Sequence, residues 1–568
     1  MRLDEYDRGW DRFLQIVTDS VLTDDRTTST AALRCLEKGL ASMNEAQDEM
    51  LPVADKSREQ MWSSCDTIGS AIDHHSSTGP PFTQECLKAF VDVLKALHAV
   101  SHTHWDLARF KRCMAILKAV IMYPASPDYR PDIDALTPVQ SVVMDAVLEF
   151  KLDFPGVPSL VLTDLSEFAT LAFLAAFDVP DPNPGLGSGR PPRRVTYIAL
   201  AKRVMPILVE IYGRFKSSPD IYQDGTLDSV LSAYSIPIKL KYDCPAPSKF
   251  GNDPPLWKTA TTCVLQVIKD STLELAKFDE TVTDNRVETI WRQIVDVFRG
   301  GLLADCSAAE SLPLDVQDAE ENFDLALLST LEVDVVPHLG GARVPDYVIT
   351  QLARILHSAS ALHVDHHHSG RSSTSDGGES WVGGGDATVE SAQAVPRERF
   401  AYWAFDLLVL VCAVVETDRE PERRRVATLA LPLFIDRCEG VLSKYVRDEA
   451  IRGNVPFPRV REEEVLYVLR RLLNHELWPG SLWAAYSDSP SAHAATQPPV
   501  DTSLPSARLI ADAAQRSPHA HLHRLFHVLI ELAGMQSAAR IVDGEGTSAR
   551  EYAKRCLGVV GKEIGAVA

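Results

Sequence analysis

Apolar residues recur at spacings of three and four along almost the whole chain, and runs of strict alternation long enough for a sheet are nearly absent. Such spacing lays an apolar stripe along one face of a 3.6-residue helix, so the pattern predicts an all-α protein. Over residues 82–100 the stripe is Leu87, Phe90, Val91, Leu94 and Leu97; over residues 105–122 it is Leu107, Phe110, Met114, Leu117 and Ile121. Two amphipathic helices joined by a short polar turn cannot bury both stripes alone and need neighbours on each side. The same grammar returns over residues 195–215, 256–278, 287–303, 345–362, 400–415, 423–446, 462–477 and 521–534. With 568 residues the chain also exceeds what one hydrophobic core serves. The expected fold is an armadillo/HEAT-like α-solenoid of stacked helix pairs with long disordered loops. No repeat of fixed length is visible, as is usual for such arrays, whose degenerate repeats run to about 40–47 residues.

Local signals punctuate this pattern. Thr137 is placed to cap a helix, Pro138 suits its first turn and Gln140 can return a bond to the cap, predicting a helix from there to about Leu152. Pro206 lies inside a helical stretch, where its missing N–H predicts a kink or restart. Residues 181–194 are rich in Pro and Gly, residues 363–396 in His, Ser, Gly and Asp, and residues 487–505 in Ser, Pro, Ala and Thr. These compositions bury too little apolar surface to offset ordering and predict loops. The expected organisation is N-terminal helical repeats over 1–180, central repeats over 195–362, a disordered loop over 363–396, and C-terminal repeats over 397–568 with a loop near 487–505.

A net charge of −21 opposes the wrapping of nucleic acid and weakens general attraction to anionic lipid. Two basic clusters, Arg190 to Arg194 and Arg423 to Arg425, sit among carboxylates or prolines rather than aromatics and read as solvated surface. The ten cysteines form no C-x-x-C pair, which argues against zinc ribbons and against a secreted disulfide framework and fits a reducing cytosol. The first residues are too polar for a signal peptide. The longest apolar run, residues 402–415, carries Asp406 and is too short to span a bilayer, so membrane association is expected to be peripheral.

No catalytic or metal-binding motif in the sequence is complete. Asp365, His366, His367 and His368 are metal-ligating types, but adjacent residues in a Gly/Ser loop lack the fixed geometry a site needs. His519, His521 and His523 alternate at the entry to a helix and read as capping or surface residues. The run Gly558 to Glu563 lacks the spacer and hydroxyl of a phosphate loop and reads as a terminal helix; His475-Glu476 is followed by no second His; no Gly-x-Ser-x-Gly elbow occurs. Glu462, Glu463 and Glu464 at a helix start suit the macrodipole. No catalytic, cofactor-binding or metal residue is assigned, and the reading is of a protein that is not an enzyme.

Two stretches carry a resemblance. The first runs from Ile236 through Pro237, Lys239, Lys241 and Tyr242 to Pro245 and resumes at Leu256, Trp257, Lys258, Thr259 and Ala260. The second runs from Val441 through Lys444, Tyr445, Arg447, Asp448 and Glu449, past Gly453, Pro456 and Pro458, into Val465 to Leu469. Read from the residues alone, the prolines from Pro237 to Pro255 enforce an extended connection before a helix near Leu256, and Gly453 suits a helix C-cap. Both stretches, with residues 195–212, resemble the C-terminal region of the Mon-two family. These are large trafficking scaffolds similar to the big Arf exchange factors but lacking their catalytic Sec-seven domain. The resemblance implies a non-catalytic scaffold in endosome-to-Golgi and Golgi-to-vacuole transport. It further implies a peripheral place on trans-Golgi network and endosome membranes, and binding to a Dopey-family protein and an aminophospholipid flippase. The alternative it leaves is a binding regulator of small Arf-like GTPases without exchange activity. Family members are much longer, so the chain reads as a fragment, a short gene model or a separately encoded C-terminal half.

Overall fold

The computed structural model describes residues 3–45, 47–74, 80–123, 135–174, 177–178, 194–195, 197–241, 254–278, 281–304, 314–362, 397–415, 418–452, 459–486 and 506–567. Among these residues the chain forms 22 α-helices, and the one sheet is a two-residue antiparallel pairing of β1 (Phe177–Asp178) with β2 (Arg194–Val195). The fold is all-α, as the three- and four-residue spacing requires. Packing divides the chain into two compact units, Met1–Val297 and Phe298–Ala568. That division falls inside residues 195–362. Of the three loops expected from composition, 363–396 and 487–505 lie outside the described residues, as does 181–193 of the first.

The first unit contains α1 (Leu3–Thr23), α2 (Arg26–Glu45), α3 (Gln47–Asp73), α4 (Gln84–Ser101), α5 (Leu107–Met122), α6 (Pro138–Glu149), α7 (Val157–Leu174), α8 (Ile198–Phe215), α9 (Pro219–Gln223), α10 (Thr226–Leu240), α11 (Leu256–Leu275) and most of α12 (Asp284–Leu302). Helices α1, α3, α5, α7 and α10 each pack on the next in one layer. Helices α2, α4, α6, α8 and α11 do the same in a second, and α1·α2, α3·α4, α7·α8 and α10·α11 contacts join the layers. This is the stacked two-layer arrangement of an α-solenoid, in which each pair buries its stripes against the pairs on either side. The stripe of α4 shows it: Leu87, Phe90, Val91, Leu94 and Leu97 are all buried. In α5 the expected Phe110, Met114, Leu117 and Ile121 are buried, but Leu107 is 47% exposed. It stands at the first helical position, beyond Asp106, whose side chain caps the helix through the Arg109 amide.

Capping follows the sequence closely. Thr137 Oγ1 accepts from the Gln140 amide at 3.2 Å, and Gln140 Oε1 accepts from the Thr137 amide at 3.0 Å, a reciprocal capping box with Pro138 in the first turn. The helix ends at Glu149, three residues before the expected end, because Phe150 turns to an extended conformation and buries its ring among His98, Trp105 and Phe110. Proline behaves differently from expectation at two positions. Helix α8 neither stops nor restarts at Pro206; it runs through with the ring on its exposed side, and the Tyr234 hydroxyl from α10 donates to the Met205 carbonyl at 2.7 Å. Pro237, expected to open an extended connection, is instead a buried residue within α10, which continues to Leu240. Pro255 does end in extended backbone before α11, while residues 242–253 lie outside the described part.

The second unit contains α13 (Leu314–Thr330), α14 (Asp346–Ala359), α15 (Glu398–Cys412), α16 (Glu420–Arg452), α17 (Arg459–Asn474), α18 (Ser481–Ala485), α19 (Ser506–Arg516), α20 (Ala520–Arg524), α21 (Phe526–Gly534) and α22 (Ala549–Val567). Its organiser is the 33-residue helix α16, which packs on α14, α15, α17, α18 and α21, while α22 closes against α17 and α21. Ion pairs lock neighbouring helices at their ends. Buried Asp324 of α13 pairs with Arg397, and Glu321 accepts from the Phe400 amide at 3.0 Å and from Arg399. No helix among the described residues is long and apolar enough to cross a membrane.

Candidate functional site

The sequence-derived basic cluster on α16 is not an open surface patch. Arg424 pairs with Glu420 at 2.8 Å and its guanidinium lies over Trp478, and Arg425 reaches Asp346 at 2.8 Å and the Gly341 and Val344 carbonyls. These arginines are spent on holding α16 to α14 and to the turn after α17. The sequence alone hides this because the oxygens around Arg425, and the Pro479 carbonyl beside Arg424, lie about 55 to 85 positions away. Glu464 likewise does more than face a helix dipole: it is buried between Arg437 at 2.6 Å and Arg461 at 3.3 Å, and Arg437 also donates to the Ser360 carbonyl. Of the charges in the second resemblance stretch, Arg447 is exposed on α16 and donates to the Ser443 carbonyl in its own helix. Gly453, Pro456 and Pro458 lie outside the described residues, as do Asp365, His366, His367, His368 and Arg190.

The helices around the first resemblance stretch, α8 to α12, share a core. The Tyr212 and Tyr222 hydroxyls meet at 2.8 Å with both rings fully buried, and burial raises both phenols above their ordinary range. Lys241 takes a positive φ of 40° as it leaves α10, and its ammonium sits 5.0 Å from the Trp257 ring centre, with Lys258 at 5.2 Å. A cation over an indole face is favourable and fixes the connection between α10 and α11. Arg286 spans to Asp228 at 3.4 Å.

Polar groups concentrate most at the junction of α17, α20 and α22. His519, His521 and His523, read as capping or surface residues, are brought together with His475 and Glu563. Glu563 accepts three hydrogen bonds, from Ser517 Oγ at 2.6 Å, His519 Nδ1 at 2.6 Å and His523 Nε2 at 2.8 Å. Burial pushes its carboxyl up, and the three bonds more than offset that, holding it below the ordinary carboxylate value. His521 is fully buried and donates from Nε2 to the Leu472 carbonyl at 2.9 Å. Its ring lies 5.4 Å from that of His475, which in turn lies 4.9 Å from Phe434. A serine, a histidine and a carboxylate in contact invite comparison with a nucleophilic triad, but here the carboxylate is central. Ser517 donates to Glu563 rather than to an imidazole, so the order of contacts is not that of a Ser-His-carboxylate triad. Among the described residues no group of three or more His, Cys, Asp or Glu is disposed to hold a metal ion. The run Gly558 to Glu563 is part of α22 and contributes the cluster's carboxylate.

An open groove of about 500 Å³ lies between α1 and α3, lined by Asp11, Asp19, Glu59, Ser63 and Thr67 among others. Carboxylates and hydroxyls line it, with no imidazole among the lining residues.

Comparison with known proteins gives these surfaces a lineage. Residues 193–376, which begin at β2 and include α8 to α14, match the family model described as the C-terminal region of Mon2 protein. The human protein MON2 homolog is 20% identical over 554 residues, covering 82% of this chain and 30% of that protein. This chain is a relative of the Mon2 C-terminal region. The Xenopus laevis protein MON2 homolog is 21% identical, with 69% of this chain and 23% of that protein covered. For the Schizosaccharomyces pombe MON2 homolog the figures are 22%, 68% and 22%. The chain thus spans less than a third of the length of these curated Mon2 relatives. The sequence resemblance noted in α8, α10 and α11 falls within the residues that the family model matches.

Proposed function

We propose that this chain is a non-catalytic scaffold in endosome-to-Golgi and Golgi-to-vacuole vesicle and protein transport. In this reading its stacked helices bind a Dopey-family protein and an aminophospholipid flippase, and those partners hold it peripherally on trans-Golgi network and endosome membranes. The observation that carries the reading is the Mon2 similarity running across most of the chain. The fold supports it, since stacked helix pairs expose extended surface without needing a pocket. The test is affinity purification of the tagged chain from its native cells with identification of co-purifying proteins. Enrichment of a Dopey-type protein and a flippase is expected. Recovery of an Arf-like GTPase alone, bound in one nucleotide state, would replace this reading with that of a GTPase-binding regulator.

A further inference from the structure

The junction of α17, α20 and α22 contains two kinds of histidine. His519 and His523 are half-buried and both donate to Glu563, so protonation would convert each bond into an ion pair. His521 and His475 are buried at 0% and 4% exposure. His521 Nε2 carries the proton given to the Leu472 carbonyl, which leaves its Nδ1 as a bare lone pair; that atom and His475 Nε2 have no hydrogen-bond partner. A proton added to either ring would create a cation among Phe434, Leu472 and the other imidazole, with nothing to accept its new N–H.

The neighbouring charges do not relieve this. On α16, Arg437 is committed to Glu464 and Glu439 faces His527 of α21, and the Cys438 thiol is held neutral by burial. On α17, Arg470 pairs with Asp543 and Arg471 with Asp406. Arg516 of α19 lies over Trp483 and Arg524 of α20 over Tyr486. Glu563 of α22 is the carboxylate at the cluster, and it already serves His519, His523 and Ser517.

We infer that this junction is a proton-operated latch, which holds α20 and α22 against α17 while His475 and His521 are neutral and opens when the medium acidifies. The direction follows from linkage. Burial holds His521 down to about 3, with His475 adding to the effect, and holds His475 to about 4, whereas in an opened junction both titrate near the ordinary value of about 6.5. The open form therefore binds more protons between those limits, and closure weakens as pH falls through that window. His519 and His523 are partly solvated, so their bonds to Glu563 offset little of that loss.

Hydrogen exchange of the full chain, followed by mass spectrometry and corrected for intrinsic rates, tests the latch. Between pH 7.5 and 5.0 the opening equilibrium of peptides spanning 466–486 and 517–534 is expected to rise by at least about a hundredfold, with a slope approaching two protons. Peptides from α14 and α15 in the same unit are expected to change far less. The double variant H475F/H521Q flattens the slope, while Glu563→Gln loosens α22 at every pH and keeps it. A wild-type junction that retains its protection at pH 5.0, or one that opens only together with α14 and α15, overturns the inference. So does a double variant that keeps the acid slope. Should the double variant fail to fold, the wild-type proton slope decides alone: near two supports the latch and near zero refutes it.

Discussion

His98 shows how much a single side chain can owe to distant sequence. It is buried among Trp105, Phe110 and Phe150, with ring centres at 4.8, 5.7 and 4.7 Å, and its Nε2 has no hydrogen-bond partner. Burial, aided by His102 and Lys151, holds it neutral with a pKa of about 3. Its folded value lies below the unfolded value of about 6.5, so its contribution is complete above that pH and is lost as pH falls below it. Urea unfolding of the first unit is expected to show stability falling by up to about 1.4 kcal/mol per pH unit between pH 6 and 4, with that component missing in His98→Phe. Glu464 gives a second residue-level test. Glu464→Ala leaves Arg437 buried beside the Ser360 carbonyl without its carboxylate, and is expected to cost about 3–5 kcal/mol in thermal or urea unfolding. Neither environment was legible in sequence. A histidine two positions before a polar turn and a glutamate in an acidic helix start look like surface until the helices that cover them are placed.

At the scale of elements, signals carried by neighbouring residues were legible and signals carried by distant ones were not. Thr137, Pro138 and Gln140 lie within four positions of each other, and the capping box forms as read. Thr137→Ala is expected to destabilise by about 1 kcal/mol, with the loss confined to exchange protection in the first turn of α6. At Pro206 and Pro237 the local signal pointed to a kink or restart and to an extended connection, and both helices continue past them. Pro206 removes the N–H that would bond the Lys202 carbonyl, yet α8 continues to Phe215, packed on α7 and α11, and Tyr234 of α10 donates to the neighbouring Met205 carbonyl. Tyr234→Phe removes that donor while keeping the ring, and is expected to cost about 1 kcal/mol and to raise exchange in the middle of α8. Likewise Arg423 to Arg425 announce positive charge locally, while the Asp346 and Gly341 oxygens that absorb part of it are set by the packing of α16 on α14.

At the scale of the whole molecule, the class of fold follows from one property of the chain. Apolar residues at helical spacing, with too little alternation for a sheet, leave each helix pair needing neighbours, and in the first unit the two layers supply them. The division at residue 297 was not legible, because a break in packing leaves no break in periodicity: α12 carries its helical pattern straight across it. The histidine cluster was legible only as three alternating residues, since His475 and Glu563 come from helices about 40 positions away on either side. The scaffold role proposed above requires that this helical chain binds a partner protein by itself. Its most direct test is size-exclusion chromatography with light scattering of the purified chain mixed with a purified Dopey-family protein. The account predicts a discrete complex with both chains present. Separate elution of the two proteins, with circular dichroism showing the chain folded and helical, would contradict it.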